Sequence, residues 1–186
     1  MYLKCTTEKT VNQQRQFEDA LLEILKTKEM EKTSVVEICE RAGITRRIFY
    51  RLFETKYDCL VSAIDHRIMA LESYVSENGA TDFRRLLENV REKDSFFNVM
   101  EKSRQAGLFM ERIFDYSLRE HEEAKRFIGL FGDAGKDIIF YHISGFVGLL
   151  FYWSSTGYTR TIDEMADLLE ALINRPFDMP ENKNQK

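Results

Sequence analysis

Five cations, Arg41, Arg46, Arg47, Arg51 and Lys56, stand close together against a single acid, Glu54, in a chain of 186 residues whose formal net charge is -4. Focused basic character of this kind suits phosphate neutralisation, because counterion release depends on the cations that touch the polyanion and not on global charge. A solvated helix face with ordinary surface arginines would carry the same charge, so residue order has to decide between them. Other chemistry finds few residues. His66, His121 and His142 are scattered. None follows a Glu at the spacing of di-iron bundles, and there is no HExxH, P-loop or Gly-rich dinucleotide turn. His121 lies in Arg119-Glu120-His121-Glu122-Glu123, which reads as a solvated face. Cys5, Cys39 and Cys59 are an odd set without CxxC. They suit a reducing compartment and argue against a disulfide framework or a zinc finger. No catalytic residue, metal site or cofactor is expected.

The cations need a frame, and the stretch from Ser34 to Lys56 supplies one. Ser34 followed by Glu37 has capping-box spacing, just where Val35, Ile38 and Cys39 begin an apolar face. Ala42-Gly43 ends this first short helix, because glycine accepts the left-handed backbone that turns a chain out of a helix, and Ile44 plugs the turn. Thr45 caps the next helix. There Ile48, Phe49, Leu52 and Phe53 are apolar, while Arg46, Arg47 and Arg51 are not. Cations crowd a first turn whose dipole would prefer anions. A helix that accepts this penalty, after a short turn, fits the recognition element of a helix-turn-helix.

Residues Thr33 to Leu60, TSVVEICERAGITRRIFYRLFETKYDCL, resemble the TetR-type bacterial transcriptional regulators. The pattern consists of Ile38-Cys39, Ala42-Gly43-Ile44, Phe49-Tyr50, Phe53 and a Lys, Lys56, opening the fourth helix. Ile48 stands where that family usually has Thr, and Leu52 where it has His or Tyr. Two common contacts to the DNA backbone are therefore replaced, which shifts the burden to Arg46, Arg47, Tyr50 and Lys56. The expected DNA-binding set is Ser34, Thr45, Arg46, Arg47, Tyr50, Arg51 and Lys56. Arg46 and Arg47 are assigned to base edges or nearby phosphates, and Thr45, Tyr50 and Lys56 to phosphates.

The rest of the chain is expected to be all-α, with about nine helices. A first helix from about Val11 to Lys28 carries Phe17, Ala20, Leu21, Ile24 and Leu25 as a stripe that covers the helix-turn-helix. Residues 1–56 form the N-terminal DNA-binding domain and 57–186 a ligand-binding and dimerisation domain. The fourth helix, 55–78, joins them, and His66 on it is read as a surface residue. Thr81 caps a fifth helix. Aromatics and Met then become dense, which suits a pocket for a small apolar effector, and Phe97, Met100, Phe114 and Phe127 are its expected lining. Core packing explains the same residues.

Asp137 to Tyr158 is apolar nearly all round and implies burial on more than one side. His142, Ser144, Ser154 and Ser155 argue against a membrane span. Thr161 and Glu164 open a last helix with a second capping box. In the family resembled, the last two helices pair as a four-helix bundle across a dimer, and Phe146, Leu150, Trp153, Met165 and Leu169 are the expected interface. Met1 to Gln16 is polar and does not resemble a signal peptide, so the expected location is the cytoplasm. The function implied is a homodimeric regulator that binds a pseudo-palindromic double-stranded DNA operator, acts as a repressor and answers to a small molecule. The alternative is an activator or co-regulator of the same fold answering to a protein partner; a helical enzyme is a more distant third.

Overall fold

The computed structural model describes residues 7–78, 83–92, 95–120 and 122–173. Among the described residues ten helices follow one another: α1 (Glu8–Leu25), α2 (Val35–Ala42), α3 (Arg46–Leu52), α4 (Lys56–Asn78), α5 (Phe83–Glu92), α6 (Ser95–Lys102), α7 (Ala106–Glu120), α8 (Glu122–Phe131), α9 (Asp133–Ser155) and α10 (Ile162–Ile173). That is one more than expected. At Gly132, whose φ is 59°, the chain turns out of α8, and α9 starts a turn earlier than its apolar run. The expected Thr81 cap, Cys5 and the side chain of Phe127 lie outside the described residues.

Local chemistry sets most boundaries. Thr7 caps α1 by accepting from the Thr10 amide. Thr55 and Asp58 form a reciprocal pair at the start of α4, with the Thr55 amide donating to Asp58 Oδ2 at 2.8 Å and the Asp58 amide to Thr55 Oγ1 at 3.2 Å. The Thr161–Glu164 box is present in α10. Gly157 and Tyr158, at φ 66° and 58°, end the α9 region, and Trp153 Nε1 ties the turn by donating to the Arg160 carbonyl at 2.8 Å.

α1 packs on α2 and α4, and its stripe closes the small N-terminal core as expected. Phe17 meets Phe49 edge-on at 5.2 Å and Phe53 at 6.2 Å, and Met30 is fully enclosed with them. Fully burying one such side chain is worth about 1.5–3 kcal/mol, which helices as short as α2 and α3 need because isolated helices under about 12 residues are marginal. In the C-terminal half α4 packs on α7, α5 on α10, and α9 on α6, α7 and α8. Arg84 of α5 bridges Asp163 and Asp167 of α10 at 3.0 and 2.9 Å. Phe96, Phe97, Phe109 and Phe151 form a ring cluster with centroids 5.2–5.9 Å apart.

One expectation fails here. Leu150, Trp153, Met165 and Leu169 are 1–2% exposed and form the protomer's own core, so they cannot be its outer face. Phe146 is partly buried against Phe83. The exposed side of α9 instead carries Tyr141, Gly145, Gly148 and Tyr152 in helical register. At 23 residues α9 is, by length and composition alone, apolar enough to span a bilayer.

Candidate nucleic-acid interface

α2, the turn and α3 place the cations. Ser34 accepts from the Glu37 amide at 3.3 Å while the Glu37 carboxylate accepts from the Ser34 amide at 2.8 Å, so the capping box is complete. Lys28 Nζ adds an ion pair at 2.5 Å. That hydrogen bond from Lys28, with those from the Ser34 amide and hydroxyl, holds the Glu37 carboxyl down to about 2. At the other end of α2, Gly43 has φ 67° and ψ 25°. Its amide reaches the Glu40 carbonyl, and that of Ile44 the Cys39 carbonyl at 3.1 Å, a Schellman closure that only glycine adopts without strain. Thr45 then stands at the cap position of α3 in extended conformation, but its hydroxyl makes no capping bond. It is not spent on the helix.

α3 turns Phe49 and Leu52 inward and leaves Arg46, Arg47, Tyr50 and Arg51 outside. Arg46 and Arg47 are exposed in the first turn, with no acid there. Tyr50 is 53% exposed, its ring held edge-on to Phe49 at 5.5 Å. Arg51 donates from Nη2 to Gln13 Oε1 of α1 at 3.0 Å, which uses one of its five donors and anchors α3 to α1.

Two of the expected DNA-binding residues are otherwise engaged. Lys56 Nζ donates to the carbonyls of Met30, Glu31 and Thr33 at 2.7, 3.0 and 2.7 Å. An ammonium has three N–H donors, and all are used to fasten the α1–α2 connection to the start of α4. Ser34 has one hydroxyl proton, and it goes to Glu37 Oε2 at 2.9 Å. Both residues shape the unit from within.

The polar joint between α1 and α4 escaped the sequence reading. Gln14 Nε2 donates to Ser62 Oγ at 2.6 Å, Ser62 Oγ donates to Glu18 Oε1 at 2.6 Å, and His66 Nδ1 lies 2.9 Å from Glu18 Oε2. His66 is therefore not a free surface residue. Gln14-Glu18 and Ser62-His66 are both i, i+4 pairs, and Glu18 lines up with Leu21 and Leu25 of the apolar stripe, which was the available signal.

Of the expected pocket residues, Phe97 and Met100 are fully buried in the aromatic cluster, and Phe114 meets Phe140 edge-on at 4.9 Å. A cleft of about 330 Å³ opens elsewhere, at the α9–α10 turn, between Tyr152, Trp153, Arg160 and Glu164. Among the described residues no His, Cys, Asp and Glu side chains converge on a metal-sized site.

Residues 19–63, which span the end of α1, the helix-turn-helix and the start of α4, match the family model described as bacterial regulatory proteins, tetR family. These residues carry a TetR-type DNA-binding domain. The geometry fits: capped α2, the glycine turn and α3 form a helix-turn-helix, the DNA-binding element of such transcription regulators. The whole architecture is similar to that of Lin0861 from Listeria innocua, known from a crystal structure, with a TM-score of 0.59, 16% identity and coverage of 92% of this chain and 95% of that one. At that identity the likeness concerns the fold. A comparison with curated proteins returns no match.

Proposed function

We propose that this TetR-type regulator acts as a cytoplasmic homodimeric repressor of a pseudo-palindromic operator, released by a small molecule bound in its C-terminal half. The observation that carries the DNA assignment is the uncommitted pair Arg46 and Arg47 at the head of an exposed seven-residue helix, beside the unspent Thr45 hydroxyl. Guanidinium forks suit guanine edges and phosphates alike, and Tyr50 and Thr45 donate to phosphate. Two α3 helices enter successive major grooves when a dimer holds them about 34–36 Å apart. The dimer uses the outer side of α9, where Tyr141 and Tyr152, 65% and 63% exposed, flank Gly145 and Gly148. A Cβ added at either glycine would meet nothing within 4 Å in the protomer, so a second helix has room to approach closely there.

Selection from random duplex DNA, followed by affinity measurements across salt concentrations, tests this reading. A palindromic consensus is expected, and Arg47→Ala should weaken specific binding by about 1–3 kcal/mol while leaving the fold intact. Failure to enrich any sequence at low salt would reject the operator assignment. The same fold would then be serving a protein partner.

A further inference from the structure

Three successive residues near the middle of α4 face three different neighbours. Asp65 receives Arg112 of α7 in a two-point fork, Nε to Oδ1 at 2.7 Å and Nη2 to Oδ2 at 2.8 Å. His66 is joined to Glu18 of α1. Arg67 has its Nε and Nη2 buried with no hydrogen-bond partner, and its Cζ lies 5.8 Å from the centroid of the Phe96 ring. Among the described residues the other buried side-chain polar atoms left without partners are the hydroxyls of Ser144 and Ser154. A hydroxyl is neutral and can rotate toward another acceptor. A guanidinium is charged, and although burial lowers its pKa it does not shed its proton in a protein.

Two buried donors without partners on a half-buried guanidinium cost stability unless something anionic completes them. Among the described residues, the carboxylates of the α1–α4–α7 joint are engaged: Asp65 by Arg112, and Glu18 by Ser62 and His66. The unpartnered edge of Arg67 is the Nε/Nη2 edge, the same one that Arg112 uses to grip a carboxylate, and its two parallel N–H groups match the two oxygens of such a group. Beside it stand Phe96 and the cluster it begins, with Met100 among them, an unbranched side chain that repacks easily.

We propose that Arg67 anchors the carboxylate of an acidic effector whose apolar body packs against Phe96 and the adjoining aromatic cluster. The site refines the expected apolar pocket: the ligand is an amphipathic organic acid. Binding there acts on α4 at the turn where Asp65 and His66 already hold α7 and α1, so the occupied and empty states differ at the joint between the DNA-binding unit and the rest. This inference rests on the C-terminal half being the effector-binding half. Its test uses no DNA, so its failure and that of the operator assignment are separate results.

The probes are butyrate, octanoate, decanoate, benzoate and phenylacetate, each beside its primary amide, with full-length protein followed by thermal unfolding and calorimetry. At least one acid should raise Tm where its amide does not. The shift should vanish in Arg67→Met, and binding should weaken roughly tenfold or more in Arg67→Lys, whose point charge cannot make the fork. Without ligand, Arg67→Met should unfold at the wild-type temperature or above, because it removes two buried donors that have no partner; an arginine serving the scaffold would instead lower it. The proposal is overturned if no acid in the series stabilises the protein, if amides act as well as acids, if Arg67→Met keeps the acid response, or if ligand-free Arg67→Met is destabilised.

Discussion

Lys56→Met separates a structural clamp from a phosphate contact. The substitution keeps the apolar stem and removes the ammonium that holds the carbonyls of Met30, Glu31 and Thr33. A hydrogen bond from a charged donor contributes a net ~1.5–3 kcal/mol. The Glu31 contact is exposed and water can replace it, whereas the contacts to Met30 and Thr33 are partly buried. Since both come from one ammonium they do not add fully, and the loss should be about 3 kcal/mol. For a chain of this size that lowers Tm by about 6–12 °C. The assay has two arms, thermal unfolding by circular dichroism and operator affinity against salt. The clamp predicts a lower Tm and a weaker affinity with the same salt slope, because no phosphate contact is lost. A phosphate ligand predicts an unchanged Tm and a slope smaller by about 0.9 per protomer. An unchanged Tm with the smaller slope would refute the clamp.

Arg112→Ala removes the fork on Asp65 and should cost about 3 kcal/mol, read as a drop in the urea midpoint with an unchanged m-value. The Glu37 capping box makes α2 sensitive to acid: its folded pKa of about 2 lies below the ordinary 4.5, so the stabilisation is fully present above pH 4.5 and is lost as pH falls toward 2. Amide hydrogen exchange in α2 should accelerate over that window, and Glu37→Gln should abolish the acceleration. Gly148→Leu should leave the protomer folded, since open space lies over that position, yet shift sedimentation from dimer to monomer; an unaltered dimer would move the interface off α9.

Features set by neighbours in the chain were legible from sequence. The Ser34–Glu37 and Thr161–Glu164 boxes and the Gly43 turn depend on residues within a few positions of one another, and all three stand where spacing put them. The inward set of α3 was legible too, because Phe49 and Leu52 alternate clearly with arginines. α9 was not, because a helix apolar on every side carries no record of which side its neighbours cover. Trp153 and Leu150 went inward while Tyr141 and Tyr152 stayed out, and that choice is made by where α6, α7 and α8 pack. Lys56 and Ser34 misled for a related reason. A cation or hydroxyl near a DNA-facing turn looks the same in sequence whether it points at phosphate or at its own backbone. Glu18, Asp65 and Arg67 read as ordinary surface charges until α1, α4, α6 and α7 are brought together around them.

The length of α4 has a consequence for how little movement control needs. Its 23 residues, at about 1.5 Å rise each, make a rod of about 34 Å running from the edge of the DNA-binding unit into the C-terminal half. Pivoted at one end by about 6°, such a rod swings its other end by about 3.5 Å, close to the roughly 3.4 Å rise of one base pair. Two protomers swinging in opposite senses would misplace their half-site contacts by about two base pairs. The joint at residues 65–67 lies near the middle of this lever, so shifts of an ångström or two there are magnified at the groove and no unfolding or large rearrangement is required.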